Sequence, residues 1–354
     1  RVSGGRFGAS ELRSIQVTGQ GGVPDAGVAA VVLNITVTDT TAAGYLSVSP
    51  SGTLPPAVSN LNWGRGTTIP NAVTVKVGTG GKVDIYQSGP GTAHVIVDVA
   101  GYFVDGPVTD PGGFIALAPS RILDTRAVGG ALAAGESRDL QVTGAGGVPA
   151  TNVSAVVLNV TVTETSAGGY LTVSPAGTGR PLASNLNWAA GATIPNLVVV
   201  KVGDAGKVSL YQSGPGSAQV IADVAGYYLG GTPDKPGMFV ALAPSRVLDT
   251  RTSGAVLAGG DVSLSILGKG GVPASGVSAV VMNTTVTETR SGGFLTVYPS
   301  SVALPTASNL NWVTGTTIPN LVTVQTGAYG VVKLHNGSQG STQVIADTAD
   351  FYLG

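Results

Sequence analysis

The sequence predicts an all-β protein made of three tandem antiparallel β-sandwich domains. Whole motifs recur at a period of about 125 residues, far longer than the roughly 20–50 residues of a solenoid repeat. Between these motifs, apolar and polar residues alternate with the period of two that is typical of strands. No segment keeps a helical period of 3.6, so each copy is expected to be a complete domain of strands.

Two short motifs set the domain bounds. "GGVP" occurs at Gly21–Pro24, Gly146–Pro149 and Gly270–Pro273. "TIPN" occurs at Thr68–Asn71, Thr193–Asn196 and Thr317–Asn320. We predict domains at residues 1–105, 106–230 and 231–354, joined by short linkers rich in Gly and Pro. Such linkers would hold the domains as closely spaced beads.

The first copy lacks the segment that opens the other two. Copies two and three begin with "FIALAPSRILDTR" (Phe114–Arg126) and "FVALAPSRVLDTR" (Phe239–Arg251), whereas Arg1 corresponds to the last residue of this motif. We therefore expect either that residues precede Arg1 in the full protein or that the mature chain is cut there. A sandwich without this strand would expose an edge that another chain could fill.

Copy two contains about eight strand segments, rich in β-branched and aromatic residues and bounded by Gly, Ser and Pro. In order they are the opening "LDTR" segment, "SRDLQVTG", "SAVVLNVTVTET", "GYLTVSP", "SNLNW", "NLVVVKVG", "KVSLYQSG" and "AQVIADVAGYY". In the third, Val156, Leu158 and Val160 share one face, and Asn159 and Thr161 share the other, as in a half-buried strand. The polar face could form a contact surface between domains or chains. Jelly-roll and immunoglobulin-like connections both fit this pattern.

The composition excludes several classes of function. Charged residues make up only 10% of the chain and the net charge is −1, so no basic surplus is present to bind nucleic acid. The absence of Cys excludes disulfides, thiolate catalysis and Cys-ligated metals. We predict no cofactor, no metal and no membrane span, because no apolar run is long enough to cross a bilayer. The abundance of Thr, Ser, Gly and Val is more typical of extracellular or cell-surface proteins than of cytosolic ones.

One acidic position recurs in every copy, within "VIxDxA", and one Arg recurs at the end of "LDTR". The acidic residue shares its strand face with apolar residues, and a buried carboxylate needs a partner. We predict that the Arg binds one or both nearby carboxylates as a structural ion pair, and the alternative is the carboxylate pair of a glycosidase. The residues concerned are Asp98, Asp223, Asp347, Asp124, Asp249, Arg1, Arg126 and Arg251.

All 3 Trp residues lie in the pentapeptide "SNLNW". In an extended strand the Trp and Leu share one face and the two Asn share the other, so we predict that the Trp packs in the core. The alternative is a platform on which a sugar ring stacks while the Asn side chains bind its hydroxyl groups. The candidate glycan contacts are Trp63, Trp188, Trp312, Asn60, Asn62, Asn185, Asn187, Asn309 and Asn311.

The motifs "PSR[IV]LDTR", "GGVP", "AVVLNVTVT", "SNLNW", "TIPN" and "VIADVAGYY" together resemble a repeat of secreted cell-surface proteins of actinobacteria. The resemblance covers essentially the whole chain, three times. It implies secretion and a non-catalytic surface module, and it brings no assigned catalytic residues. The third copy departs at its end, where Asp350 stands in the place of Gly226.

These observations predict a secreted, non-catalytic structural or adhesive surface protein that assembles into a fibre or layer. Its partners would be further copies of itself or cell-surface glycans. The alternative function is a tandem array of carbohydrate-binding modules, in which three weak sites gain avidity. An enzyme is not expected, because no nucleophile–base set recurs in the three copies.

Overall fold

The structure is a computed structural model, and it describes residues 5–54 and 59–354. This part of the chain consists of strands joined by turns and loops, with four short 3-10 turns and no α-helix. We number the repeats by the bounds 1–105, 106–230 and 231–354. Arg1 lies outside the described residues.

Residues 5–54 and 59–354 contain 23 strands, and the order of strands in repeats 2 and 3 matches that of repeat 1 after one additional first strand. Repeat 1 contains β1 (Leu12–Gln16), β2 (Val28–Thr38), β3 (Gly44–Pro50), β4 (Leu61–Trp63), β5 (Ile69–Lys76), β6 (Lys82–Ser88) and β7 (His94–Val104). Repeat 2 contains β8 (Phe114–Asp124), β9 (Ser137–Gln141), β10 (Val153–Thr163), β11 (Gly169–Pro175), β12 (Leu186–Trp188), β13 (Ile194–Lys201), β14 (Lys207–Ser213) and β15 (Gln219–Leu229). Repeat 3 contains β16 (Phe239–Asp249), β17 (Asp261–Ser265), β18 (Val277–Thr287), β19 (Gly293–Pro299), β20 (Leu310–Trp312), β21 (Ile318–Gln325), β22 (Val331–Asn336) and β23 (Gln343–Leu353).

Repeats 2 and 3 each fold into two four-stranded antiparallel sheets. In repeat 2 the inner sheet has the order β13-β10-β15-β8 and the outer sheet has the order β12-β11-β14-β9, and repeat 3 has the equivalent orders. The chain crosses between the two sheets at almost every connection, which is the double Greek key of a jelly roll. In the described part of repeat 1 the inner sheet has three strands, β5-β2-β7.

The three repeats close into a propeller-like ring of six small sheets, so the expectation that the sandwiches form a tandem row is wrong. Strands β5, β13 and β21 meet one another around a central axis. Strand β4 packs on β13 of the next repeat, β12 packs on β21, and β20 packs back on β5. Because the last contact joins repeat 3 to repeat 1, the arrangement is a closed ring and not a row of beads. We call these three contacts the seams.

Within the inner sheets, β2, β10 and β18 are buried on both faces over most of their length, which corrects the prediction of a half-buried strand. In β10, Val156, Leu158 and Val160 pack in the core between the two sheets of repeat 2. The opposite face contributes Ala155 and Val157 to a separate core on the axis of the ring. The alternation of residue types was therefore read correctly, but the second face packs against the neighbouring repeats instead of facing water.

The axial core is built from matching positions of the three repeats. Ala72, Leu197 and Leu321 follow the Asn of each "TIPN" motif and belong to this core. Aromatic rings at the repeat boundaries extend it, and the rings of Tyr228 and Phe239 stack with centroids 3.7 Å apart. Burial of this shared apolar surface stabilises the ring, because no single repeat can cover it alone.

Candidate functional site

The "SNLNW" motif forms the short edge strand of each outer sheet and lies at a seam. Trp63 and Leu61 pack in the core of repeat 1, and Trp63 is only 7% exposed. Its indole N–H donates to the Ala42 carbonyl at 3.2 Å, which satisfies the one polar atom of the ring. Trp188 and Trp312 are buried in the same way and donate to equivalent carbonyls at 3.1 and 2.9 Å. The three indoles therefore pack as core residues and not as open platforms.

The two Asn residues of the motif have different surroundings. Asn60 is buried, and its Oδ1 accepts a hydrogen bond from the Val48 backbone N–H at 2.7 Å. Asn185 and Asn309 make the equivalent bond in their own repeats. The second Asn is half-buried at the seam: Asn62 donates to Ser59 Oγ at 3.0 Å. Asn187 and Asn311 are the equivalent residues of repeats 2 and 3, and they are half-buried at their seams as well.

A cyclic network of Asn side chains joins the repeats across the seams. Asn71 Nδ2 of repeat 1 donates to Asn159 Oδ1 of repeat 2 at 2.9 Å, and Asn159 Nδ2 donates back to the Ser59 carbonyl at 2.7 Å. The same pair of bonds recurs at the second seam, between Asn196 and Asn283 and from Asn283 to Ser184. It recurs again where repeat 3 meets repeat 1, between Asn320 and Asn34 and from Asn34 to Ser308. The Asn/Thr face of the "NVTVT" strand is thus a contact surface between repeats.

In repeats 2 and 3 the recurring carboxylates lie beside the seams, each with an Arg. Arg126 contacts Asp124 through two bonds of 2.9 and 2.7 Å. The buried Asp223 is instead bound by Arg121, at 2.8 and 3.3 Å, and Arg121 also reaches Asp124 at 3.4 Å. Sequence analysis did not single out Arg121, although it lies in the same "PSRILDTR" motif. Both carboxylates of the glycosidase alternative are therefore already bound by guanidinium groups.

Repeat 3 reproduces this arrangement. Arg251 binds Asp249 at 2.9 and 2.6 Å, and Arg246 binds Asp347 at 2.8 and 3.2 Å. The nearby Ser184 backbone N–H of repeat 2 opposes the rise in the pKa of Asp347, so this carboxylate lies close to the neighbouring repeat. In repeat 1, Asp98 occupies the matching position, opposite Asn34 on β2, and is buried.

Burial and ion pairing move the pKa values of these acids in opposite directions. Hydrogen bonds from Arg126 lower the pKa of Asp124 below its ordinary value. Burial raises the pKa of Asp223 above its ordinary value, although the bonds from Arg121 oppose this. The pKa of Asp249 is lowered and that of Asp347 is raised for the same reasons. Asp124 and Asp249 are thus held ionised. Asp223 and Asp347 are each bound by an Arg, but their burial costs free energy of desolvation.

A groove of about 420 Å³ opens at the seam between repeats 1 and 2. One wall carries Tyr45 and Asn62 of repeat 1, and the other carries Arg121 and Arg126 of repeat 2. The remaining lining residues are Ser59, Thr161, Thr163, Thr193 and Ile221. The Tyr45 side chain is 39% exposed, so an aromatic ring lies open beside several hydrogen-bonding groups. Sequence analysis missed Tyr45, and the recurrence of an aromatic residue after Gly in "GYL", "GYL" and "GFL" was the signal that could have found it.

The described residues contain neither a metal-binding group of side chains nor a membrane-spanning helix. Among residues 5–54 and 59–354, no group of three or more His, Asp and Glu side chains is placed to hold a metal ion. Within the same two ranges, no helix is both long and apolar enough to cross a membrane.

Comparison with known proteins yields no close relative. No protein-family model matches the chain, and no curated protein matches it. Among solved structures, the STIV MCP crystal structure matches with 6% identity over 66% of this chain and 96% of that chain, at a TM-score of 0.31. A structure described as the triple jelly-roll fold and turret assembly in an archaeal virus matches with 12% identity over 97% and 90% of the two chains, at a TM-score of 0.22. Similarity at this level supports no conclusion about function, and the jelly-roll strand order above comes from the chain itself.

Proposed function

We propose that this chain is a secreted, non-catalytic adhesive protein of the cell surface, in which the closed ring is a rigid scaffold and the seam grooves bind neutral glycans. The observation that carries the proposal is the groove between repeats 1 and 2, where the exposed Tyr45 ring lies opposite a wall of Arg and Thr side chains. Its volume falls within the roughly 300–1,000 Å³ that is typical of small-molecule sites.

The chemistry of the groove fits an uncharged sugar. A Tyr ring offers a rigid apolar face for the C–H groups of a pyranose at little cost in side-chain entropy. Arg121 and Arg126 are paired with Asp223 and Asp124, so their positive charges are already neutralised. Such pairs offer donors and acceptors together, which suits hydroxyl groups better than it suits an anion.

The second seam carries the same side chains, which supports avidity. Tyr170, Asn187, Arg246 and Arg251 of repeats 2 and 3 correspond to Tyr45, Asn62, Arg121 and Arg126. Two weak sites on one rigid body would strengthen attachment to a glycan-covered surface without any new contact. Assembly into a fibre or layer through further copies of the chain stays a prediction from the sequence.

The test is binding of a panel of neutral methyl glycosides by isothermal titration calorimetry. We expect at least one glycoside to bind, and we expect Tyr45→Ala with Tyr170→Ala to weaken its binding by about tenfold or more, since a buried aromatic contact of about 1.5 kcal/mol or more is lost. Tyr102→Ala is the matched control, because Tyr102 is 42% exposed on β7 and does not line the groove. A panel without any binder, or unchanged affinity in the double variant, would refute the proposal.

A further inference from the structure

A second and larger pocket lies on the axis of the ring. It measures about 720 Å³ and is surrounded by the connections β4–β5, β12–β13 and β20–β21, at the N-terminal ends of the three axial strands. Each repeat contributes the same stretch of chain, so the pocket exists only because the ring is closed. Its size lies within the roughly 300–1,000 Å³ of small-molecule sites.

The lining of this pocket is mainly apolar and carries no charged side chain. Each repeat contributes one Ile, which is Ile69, Ile194 or Ile318, and Trp63 and Trp188 also line the pocket. Among the described residues that line it there is no Asp, Glu, Lys, Arg or His. An ionic ligand would lose its hydration here without gaining a partner, which costs several kcal/mol or more.

The five Thr hydroxyl groups around this pocket are already bonded within the protein. Thr67 and Thr316 donate their hydroxyl hydrogens to backbone carbonyls of their own turns, at 2.8 and 2.7 Å. Thr68, Thr193 and Thr317 each share a hydrogen bond of 2.6–2.7 Å with a Thr of the adjacent strand. The Thr hydroxyl groups at the rim thus have protein partners already, so the pocket offers mainly apolar groups to an occupant.

The rim of the pocket is kept open by its turn geometry. Gly66, Gly191 and Gly315 stand at matching positions with φ of 74°, 73° and 77°, in the left-handed region that favours glycine. No atom lies within 4 Å of a Cβ built on any of the three, so the conformation, and not lack of space, calls for glycine there. The three turns therefore have the same shape and surround the axis without closing it.

We propose that the axial pocket binds the alkyl chain of an uncharged amphiphile, one per chain. The lining has no charged side chain and its Thr hydroxyls are bonded within the protein, so it selects against a charged ligand. Because the pocket lies on the axis, it has three similar walls, which suit a linear apolar group. The pocket also adjoins the seam groove, because Asn62 and Thr193 line both. An alkyl chain on the axis would thus leave its polar end at the mouth of the groove. The proposal does not depend on glycan binding in the groove.

The test compares n-octanol with octanoate and n-octylammonium at neutral pH, by calorimetry and by the fluorescence of Trp63 and Trp188. We expect saturable binding of one octanol per chain, at least about tenfold tighter than either ion of the same length. Butanol should bind more weakly than octanol, because each buried methylene contributes a factor of about four. Equal affinity of octanol and octanoate, or no saturable octanol binding, would overturn the proposal.

Two variants locate the site. Val313→Asp places a charge on the lining and should weaken octanol binding by about tenfold or more, and Ala189→Trp should weaken it by filling the pocket. Val128→Asp is the matched control, because Val128 is 77% exposed and does not line the pocket. An equal loss in Val313→Asp and Val128→Asp would show that octanol binds elsewhere. Methyl glycosides that bind while octanol does not would refute the axial site alone, and the reverse result would refute the groove alone.

Discussion

At the scale of single residues, buried amides define how the repeats meet. Asn71 uses both amide hydrogens, one toward Asn159 and one toward the Asn60 carbonyl, and its Oδ1 accepts from the Leu197 N–H at 3.0 Å. Asn196 makes the same donations at the next seam, but its Oδ1 has no partner among the described residues. A buried amide with all its hydrogen bonds made fixes one geometry, since any shift would leave polar atoms unpaired.

We expect Asn71→Ala and Asn159→Ala to destabilise the protein strongly and not additively. Each variant leaves buried partners unsatisfied, which costs about 1–3 kcal/mol per group. The double variant should cost less than the sum of the two, with a coupling of about 0.5–3 kcal/mol in urea unfolding. Asn71→Ala combined with Asn336→Ala is the control: Asn336 is bonded within repeat 3, so these two losses should add. Additive losses for Asn71 and Asn159 would contradict the proposed network.

The residue scale also shows how far the sequence can predict a site. The recurrence of Asp223 and Arg126 indicated a buried pair, and the motif itself contained Arg121, the residue that binds Asp223. The choice between two Arg residues five positions apart depends on a register shift between β8 and β15 near Asp223, which alternation alone does not reveal. Tyr45 was missed because its importance depends on a wall supplied by another repeat.

At the scale of elements, the corresponding strands β7, β15 and β23 differ at one position near their C-terminal ends. β15 and β7 carry Gly226 and Gly101 where β23 carries Asp350. A Cβ on Gly226 would lie 2.4 Å from the ring of Phe114, so no side chain fits there. In repeat 3 the corresponding Phe239 stacks on Tyr228 of repeat 2, and Asp350 is fully buried. Its Oδ1 accepts only a long bond of 3.4 Å from the Leu242 N–H, and its Oδ2 has no partner among the described residues.

The Asp350 carboxyl should make stability fall as pH rises. Burial raises the pKa of Asp350 well above its ordinary value, so the folded protein keeps this proton. The unfolded chain releases it near about pH 4, and above that pH the unfolded state binds fewer protons than the folded state. The free energy of unfolding therefore decreases with rising pH, by up to about 1.4 kcal/mol per unit, until the raised pKa is reached.

The measurement is the urea midpoint at about pH 5 and about pH 8, above the ordinary pKa of the carboxyl. Asp350→Asn, which stays neutral, should lose less stability between the two values than the wild type. Asp234→Asn serves as control because Asp234 is exposed in the linker before β16. Parallel pH curves for wild type and Asp350→Asn would show that Asp350 is ionised in the folded state.

The positions of the strands could be predicted from the sequence, whereas the burial of their second face could not. The segments of "SAVVLNVTVTET" and "NLVVVKVG" form β10 and β13 in the register that their alternation indicates. The second face of β10 combines Ala155 and Val157 with Asn159, and such a mixture fits exposure, an interface or an axial core equally well. Only the position of the neighbouring repeats decides among these.

At the scale of the whole molecule, contacts between repeats create the groove, the axial pocket and the Asn network. The groove exists between two repeats, the axial pocket among three, and the Asn network closes from repeat 3 to repeat 1. Tandem repetition in the sequence fits a row of beads and a closed ring equally well. Asn side chains 87 or 88 residues apart pair between neighbouring repeats. The pair 286 residues apart joins repeat 3 to repeat 1, and this pair distinguishes the closed ring from a row.

The most direct test of this account is a disulfide across the closing seam. Asn311 Nδ2 of repeat 3 donates to Thr36 Oγ1 of repeat 1 at 3.2 Å, and the chain has no Cys of its own. Side chains this close can be bridged when the backbone geometry is suitable. Thr36→Cys with Asn311→Cys should therefore lose both free thiols on mild oxidation without forming disulfides between chains, as measured by thiol titration and non-reducing electrophoresis. Thr161→Cys with Asn311→Cys, which places the two Cys at different seams, should keep both thiols. Equal thiol loss in both variants, or disulfides only between chains, would contradict the closed ring.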